Sequence, residues 1–375
     1  MMQFRDLQKQ YEVLKPQIDT AVQKVCAQAD YISGREVREL EQQLAEYVGV
    51  KHCITCANGT DALSLVLMAW GIGSGDAVLV PDFTFFASGE TVAYESATPL
   101  FVDVDERTFN LDPDKLEEKI IRVKAEGKYN LRAVVAVDLF GLPADYTRIE
   151  LICKKYGLLL LEDGAQGFGG TINGRRVGSF GDAATTSFFP AKPLGCYGDG
   201  GAIFTNNDEW ADLIRSYAVH GKGSMKYDNV RLGMNSRLDT IQAAILQVKL
   251  KAFAEYELDA VEQVSRWYDE ALKDSGLVLP YRPEGFSSSW AQYTVQLPQG
   301  VDRDALQAKL KEQGIPTMVY YPRPMHQQKA FAGTDSAVAE CPVTERLCKT
   351  VLSLPMYPYL LHEDIKADEI IRSMY

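Results

Sequence analysis

Residues 157–189 read "GLLLLEDGAQGFGGTINGRRVGSFGDAATTSFF", two apolar runs separated by a glycine-rich loop. The runs at 157–166 and 183–189 have the length of strands, and neither alternates strictly between apolar and polar residues. Strands of that kind are covered on both faces. Outward from this pair the pattern repeats at "DAVLVP" (76–81), "TPLFVDVD" (98–105), "RAVVAVDLFG" (132–141) and "GAIFTNN" (201–207). Helical patterns lie between them in "GTDALSLVLMAWGI", "FASGETVAYESA" and "YTRIELICKKYG". Such a strand–helix–strand series predicts an α/β fold on a mainly parallel sheet.

Past residue 236 the character changes. "SRLDTIQAAILQVKLKAFAEYELDAVEQVSRWYDEALKDSG" carries apolar residues at helical spacing and no glycine until Gly276, which predicts one long helix or two. Beyond it, "WAQYTVQL" (290–297), "RDALQAKLKEQG" (303–314) and "PTMVYY" (316–321) read as strand, helix and strand. The expected division is a large domain over 1–250, with a helix at its start, and a smaller α+β domain over 251–375. No internal repeat or low-complexity linker interrupts it.

The chain has 375 residues, 46% hydrophobic, with a formal charge of −12. An acidic surface repels nucleic acid and anionic membrane, so neither is an expected partner. The first 25 residues are charged throughout and lack the apolar core of a signal peptide, and no run of about 20 apolar residues occurs. A cytoplasmic location is expected. Seven scattered cysteines fit reduced thiols better than a disulfide framework. Cys53 and Cys56 have metal-motif spacing but no second ligand pair, and read as a buried strand followed by a turn; no metal is expected.

In an open α/β sheet, ligands sit at the carboxyl ends of strands. One such end carries Glu162, Asp163 and Gln166; the next delivers Ser187 and Lys192. A third element, Asn58-Gly59-Thr60-Asp61, opens a helix after a strand and offers free N–H groups to a phosphate, although a capped helix start alone would read the same. Together these describe pyridoxal phosphate chemistry: a lysine for the aldehyde, a carboxylate for the pyridine nitrogen, a helix start for the phosphate. Pro190, Pro193, Leu194, Cys196 and Tyr197 give Lys192 an apolar setting unlike that of a solvated loop.

The blocks "NGTDAL", "PDFTF", "VDVDERTFNLDP", "AVDLFGLPAD", "EDGAQGFGG", "GSFGDAATTSFFPAKPLGCYGDGGA", "GMNSRLDTIQAAIL" and "VYYPRPMHQQKAF" resemble, in order, those of the DegT and StrS type nucleotide-sugar aminotransferases, from about Phe4 to the end of the chain. That resemblance implies the aspartate aminotransferase-like fold (type I of the pyridoxal phosphate enzymes) and a homodimer with active sites at the subunit interface. It implies Lys192 as the Schiff-base lysine, Asp163 beside the pyridine nitrogen and Gln166 on the cofactor's phenolic oxygen. Gly59, Thr60 and Ser187 would hold the phosphate, Asn235 would reach in from the neighbouring subunit, and Phe85 would cover the ring unless it packs in the core. L-Glutamate would give the amine and a nucleotide-linked keto-sugar would take it, by ping-pong kinetics.

The block around Lys192 most resembles members that aminate the C3 keto group of UDP-2-acetamido-2-deoxy-3-oxo-glucuronic acid, a step toward bacterial O-antigen and other surface polysaccharides. Relatives that aminate a 4-keto sugar or a 3-keto deoxy sugar are the alternative. Arg237 suits a sugar carboxylate by its planar fork, although an arginine starting a helix reads the same. Tyr320, Tyr321, Arg323 and His326 match a substrate-facing block, with Tyr320 and Tyr321 where many relatives have His-Tyr; His220 is a further lining candidate or a structural histidine. A nicotinamide dehydrogenase is a poor alternative, because "GSFGDAA" precedes a strand rather than a helix. A dehydratase of this fold has histidine in place of the lysine. A non-catalytic cofactor-binding regulator would keep the same site and show no turnover.

Overall fold

The computed structural model describes residues 2–225 and 227–374. Helices α1 (Leu7–Gln28) and α2 (Arg35–Val48) precede an alternating series: β1 (His52–Cys56), α3 (Gly59–Ala69), β2 (Asp76–Pro81), α4 (Ala87–Tyr94), β3 (Thr98–Val102), α5 (Pro113–Glu126), β4 (Asn130–Val137), α6 (Tyr146–Tyr156) and β5 (Leu159–Asp163). A short hairpin, β6 (Thr171–Ile172) and β7 (Arg175–Arg176), fills the glycine-rich loop. Strands β8 (Ala183–Ser187) and β9 (Gly201–Thr205) and helix α7 (Asp208–Tyr217) follow.

Seven of these strands form one sheet in the order β1-β9-β8-β5-β4-β2-β3. From β3 to β8 neighbours run parallel. Only β9 opposes its neighbours, β8 and β1. The connection from β8 to β9, residues 188–200, contains no helix, and a parallel return would need a crossover element. The loop that carries Lys192 therefore turns the chain straight back along β8.

The lack of alternation in the strands now has its cause. Val78, Val80, Val135, Val137 and Leu161 enter one apolar cluster with α3 residues Leu63 and Val66. Their neighbours Ala77, Leu79, Val134, Ala136 and Leu160 enter another with Leu116, Ile120 and Ile149 of α5 and α6. Successive side chains on a strand point to opposite faces, and here both faces are buried.

After α7 the chain runs through α8 (Thr240–Ala252), a π-helical turn at 253–257 and α9 (Leu258–Leu272) without interruption. The expected domain boundary at residue 250 thus falls inside a continuous helical run. A second core gathers α9, the pair β11 (Tyr293–Gln296) and β12 (Val351–Leu354), α10 (Arg303–Glu312) and α12 (Ala367–Met374). The two-residue strand β10 (Phe286–Ser287) pairs instead with β6 of the large domain. Not all of 251–375 belongs to the second core: Met325, Phe331 and, from α11 (Pro342–Thr350), Leu347 and Cys348 pack with the sheet of the large domain.

The strand expected over 316–321 is a correction. That segment touches the small sheet only through a bridge from Met318 to Ser353, and β12 is the partner of β11. Among the described residues, no helix is long and apolar enough to cross a membrane.

Candidate active site

Strand β5 ends at Asp163, which lies between Val137 and Thr185 of its neighbours. The alternation that buries Leu161 on one face sends Glu162 to the other, where its two oxygens accept from the backbone N–H groups of Gly178 and Phe180, each at 2.8 Å. Glu162 therefore fastens the glycine-rich loop. Burial pushes its carboxyl up, and the carboxyl of Asp138 beside it is pushed up to about 7 for the same reason.

Asp163 is 5% exposed. Ser88 Oγ of α4 donates to its Oδ2 at 2.7 Å, and the Ala165 N–H reaches Oδ1 at 3.2 Å. Burial raises the pKa of Asp163; those two hydrogen bonds and the charge of Lys192 oppose the rise. Among the described residues no salt bridge reaches Asp163; its partners are the Ser88 hydroxyl and the Ala165 N–H, and a buried carboxylate is best stabilised by a cation.

Lys192 is half-buried in the loop after β8. The loop is pinned by Phe188, Leu194 and Cys196, all in the core, and by hydrogen bonds from Lys192 N–H to the Phe189 carbonyl (2.8 Å) and from Cys196 N–H to the Phe188 carbonyl (2.7 Å). Burial lowers the Lys192 ammonium pKa; Asp163 raises it, and Arg5 lowers it further. The net shift is downward, toward the free amine that a nucleophile or base requires.

At the end of β8, Ser187 meets the start of α3. A Cβ placed on Gly59 would stand 2.7 Å from the Ser187 Cβ, so only glycine lets the first turn of the helix lie this close. Asn58 caps that turn, accepting from Asp61 N–H at 2.8 Å, and Ser236 Oγ accepts from Ala57 N–H at 3.0 Å just before it. Thr60 is half-buried in the same turn. Gly59→Ala is expected to weaken cofactor binding by about tenfold or more, through overpacking of about 1–3 kcal/mol at this turn. Absorbance titration with pyridoxal phosphate checks it.

Gln166 accepts from Phe140 N–H at 2.9 Å and donates to Tyr321 Oη at 3.1 Å, which leaves one amide hydrogen for a ligand oxygen. Phe85 is 54% exposed, so core packing does not account for it; its ring centroid is 6.3 Å from that of Tyr321. Tyr320 is half-buried against Phe4, with centroids 6.2 Å apart, and Arg323 is exposed.

His326, expected at the sugar, is buried between two acids. Its Nδ1 lies 2.7 Å from Asp82 Oδ2, its own N–H donates to Asp82 Oδ1 at 2.8 Å, and Nε2 faces Glu345 at 3.5 Å. The hydrogen bond with Asp82 holds its pKa above the usual histidine value. Both ring nitrogens are thus engaged by acids, and the side chain fastens residues 325–327 to the end of β2.

His220, Asn235 and Arg237 lie elsewhere on the single chain. His220 and Arg237 line an open cleft of about 940 Å³ together with Lys222, Asn229 and Arg231, and Asn235 is exposed beside it, bridged through its backbone to Val219. None of Asp163, Gln166, Ser187 or Lys192 lines that cleft.

Ser88 and Arg5 carry no motif, and their place beside Asp163 and Lys192 comes only from the strand order and from the path of the first few residues. The arrangement fits pyridoxal phosphate on three observations: a buried carboxylate with no salt-bridge partner among the described residues, a lysine in the loop leaving the adjacent strand, and a helix start that only glycine lets lie against the Ser187 hydroxyl.

Over 98% of both chains, 47% of residues are identical to a protein of Pseudomonas aeruginosa named UDP-2-acetamido-2-deoxy-3-oxo-D-glucuronate aminotransferase. A Geobacillus stearothermophilus protein named pleiotropic regulatory protein is 44% identical over 96% of this chain and 94% of its own. The crystal structure of DesV from S. venezuelae in complex with a ketimine intermediate superposes with a TM-score of 0.91 at 34% identity, covering 99% of this chain and 96% of that one. The model of the DegT/DnrJ/EryC1/StrS aminotransferase family matches residues 13–374. The chain belongs to that family, and is a pyridoxal phosphate-dependent aminotransferase of the nucleotide-sugar kind.

Proposed function

We propose that the protein moves an amino group from L-glutamate to the C3 keto group of a UDP-linked 2-acetamido-2-deoxy-3-oxo-hexuronic acid, with Lys192 and Asp163 as its central residues. The observation that carries the chemistry is one of placement: Asp163 is buried at the end of β5 and held by Ser88, Lys192 lies in the loop that leaves the adjacent strand β8, and the start of α3 packs on Ser187 at the end of that same strand. Bound pyridoxal phosphate supplies the electron sink for charge that develops at the substrate carbon.

The chain's own residues do the rest. Asp163 holds a proton on the pyridine nitrogen, and Ser88 keeps the carboxylate aimed. Gly59, Thr60 and Ser187 bind the phosphate at the positive end of α3. Gln166 donates to the phenolic oxygen while Tyr321 and Phe140 hold its amide, and Phe85 shields the ring from water. Lys192 Nζ takes the proton from the donor's Cα as a base and returns it as an acid to complete the transfer.

The sugar assignment rests on the P. aeruginosa relative and on charge. Among the described residues, the cleft beside Asn235 carries Lys222, Arg231 and Arg237 and no acid, in a chain of net charge −12. A diphosphate and a uronate carboxylate both suit such a cleft. The surface around it also exposes Met225, Val230 and Leu232, the last at 93%, which supports its burial against a second copy that would bring Asn235 and Arg237 to the partner's site.

Two tests separate the readings. The 3-keto uronate should be aminated faster than any 4-keto sugar; faster turnover of a 4-keto sugar overturns the assignment. Arg237→Ala should raise KM for the uronate by roughly 10- to 100-fold, the worth of a charge-assisted hydrogen bond, and leave the KM for glutamate near its original value. A regulatory reading is favoured by the name of the G. stearothermophilus relative alone, and measurable turnover of any keto-sugar removes it.

A further inference from the structure

The segment before α1 lies against the loop that carries the candidate catalytic lysine. One guanidinium nitrogen of Arg5 donates to the carbonyl oxygen of Lys192 at 3.0 Å. The contact joins residues 187 positions apart, and the fold builds it with several others. Phe4 accepts at its carbonyl from Met356 N–H at 3.1 Å and packs its ring on Tyr320. Asp6 caps α1 by accepting from Lys9 N–H at 2.8 Å. Gln10 donates to Glu257 Oε1 at 2.8 Å, and Tyr359 Oη donates to the same oxygen at 2.6 Å. Residues 4–10 thus tie together the Lys192 loop, the π-helical turn and the small domain.

We propose that Arg5 is a positioning residue for Lys192: its guanidinium fixes the backbone carbonyl of that residue and brings a permanent positive charge to the stretch of loop that carries the amine. This rests on the reading of Lys192 as the reacting amine.

The electrostatic surroundings fit. The charged groups that act on Lys192 are Asp163 at the end of β5, which favours the ammonium, and Arg5, which disfavours it alongside burial. Around Arg5 stand Glu257 of the π-helical turn and Tyr320 of the small domain, and burial holds its own pKa down to about 10, so it stays charged at neutral pH. Lys249 of α8, 1% exposed, adds a second buried cation, lowered to about 8 by burial, with Glu257 opposing and Arg5 adding to that shift. Glu257 thus faces both Arg5 and Lys249. Of these groups Arg5 is the one that acts on Lys192, and because like charges disfavour protonation, it leaves Lys192 more readily in its free-amine form. An arginine suits the task because its charge persists and its planar fork holds a carbonyl in a fixed direction.

The test titrates Lys192 in the cofactor-free, full-length chain, following acetic anhydride labelling of that lysine against pH by peptide mass spectrometry. Arg5→Gln keeps a donor for the carbonyl and removes the charge; Arg5→Lys keeps the charge and loses the fork. Arg5→Gln should move the labelling midpoint of Lys192 upward by roughly half a unit to one unit. Arg5→Lys should leave the midpoint near that of the wild type and lower kcat, with little change in KM for glutamate. A midpoint for Arg5→Gln that coincides with the wild type, in a chain whose melting curve shows it folded, overturns the proposal. If Arg5→Gln does not fold, Arg5→Met, which removes the charge and the carbonyl donor together, should raise the midpoint at least as far, and a midpoint at the wild-type value overturns the proposal. Failure of the Lys192 reading shows separately, because borohydride reduction of the wild type loaded with pyridoxal phosphate would then mark a different lysine.

Discussion

Replacing Lys192 with alanine is expected to lower the rate of amine transfer from glutamate by about 10⁴-fold or more, the upper range for loss of a positioned acid–base group. The fold should survive. The loop is held by core side chains on either side and by main-chain hydrogen bonds, none of which needs the lysine side chain. The residue removed is a half-buried cation whose charged form the pocket already disfavours, so its loss costs little stability. Single-turnover kinetics with glutamate give the rate, and a melting curve of the cofactor-free chain gives the control. A variant that retains more than a small fraction of the original rate would place the base elsewhere.

Asp163→Asn should lower the rate by roughly 10²- to 10⁴-fold, because losing a buried charge pair with the cofactor's pyridine nitrogen would cost about 3–5 kcal/mol. Asparagine keeps the shape and can still accept from Ser88, so the charge alone is tested. The same substitution has an opposite effect on the cofactor-free protein. The folded-state pKa of Asp163 lies above its ordinary value, so the contribution of this group to stability is greatest at low pH and is lost as pH rises through the folded pKa. Above that folded pKa the aspartate is ionised and costly, and the comparison of variants is made there. Asp163→Asn without cofactor should therefore melt at or above the wild-type temperature, while the gain in melting temperature on adding pyridoxal phosphate should shrink. A variant that melts clearly lower in both forms would mean that the carboxylate serves the fold rather than the ligand.

The elements that sequence expressed well are those where local pattern and tertiary placement agree. Strand β2 spans the expected residues 76–81 because both its faces are buried and a turn bounds each end. The glycine-free run after Thr240 is helical as far as Leu272, and its interior π-helical turn has no local signature. Residues 316–321 look like a strand, being rich in β-branched and aromatic residues, yet they meet the small sheet at one bridge only. The true partner of β11 is β12, which follows α11 without a break, so its apolar residues read as the end of that helix.

The site divides in the same way. Asp163 and Lys192 stand out in the sequence because one closes strand β5 and the other lies in the loop just after β8, each in an apolar or glycine-rich setting unusual for its type. Ser88 was not, since its approach to Asp163 depends on β2 lying two strands from β5. The acid that holds His326 is hidden in the sequence for a related reason. That acid, Asp82, is 244 residues distant, and nothing near His326 in the chain announces it.

The central claim is that one half-buried lysine, with a buried carboxylate, carries pyridoxal phosphate and uses it to move an amine. The most direct test is the visible spectrum of the chain loaded with pyridoxal phosphate, recorded alone, after L-glutamate, and again after the UDP-linked 3-keto uronate. The expected result is an absorbance band from lysine-bound cofactor that bleaches with glutamate and returns with the keto-sugar, and that Lys192→Ala never shows. A band that forms but ignores glutamate, or one that persists in Lys192→Ala, would contradict it.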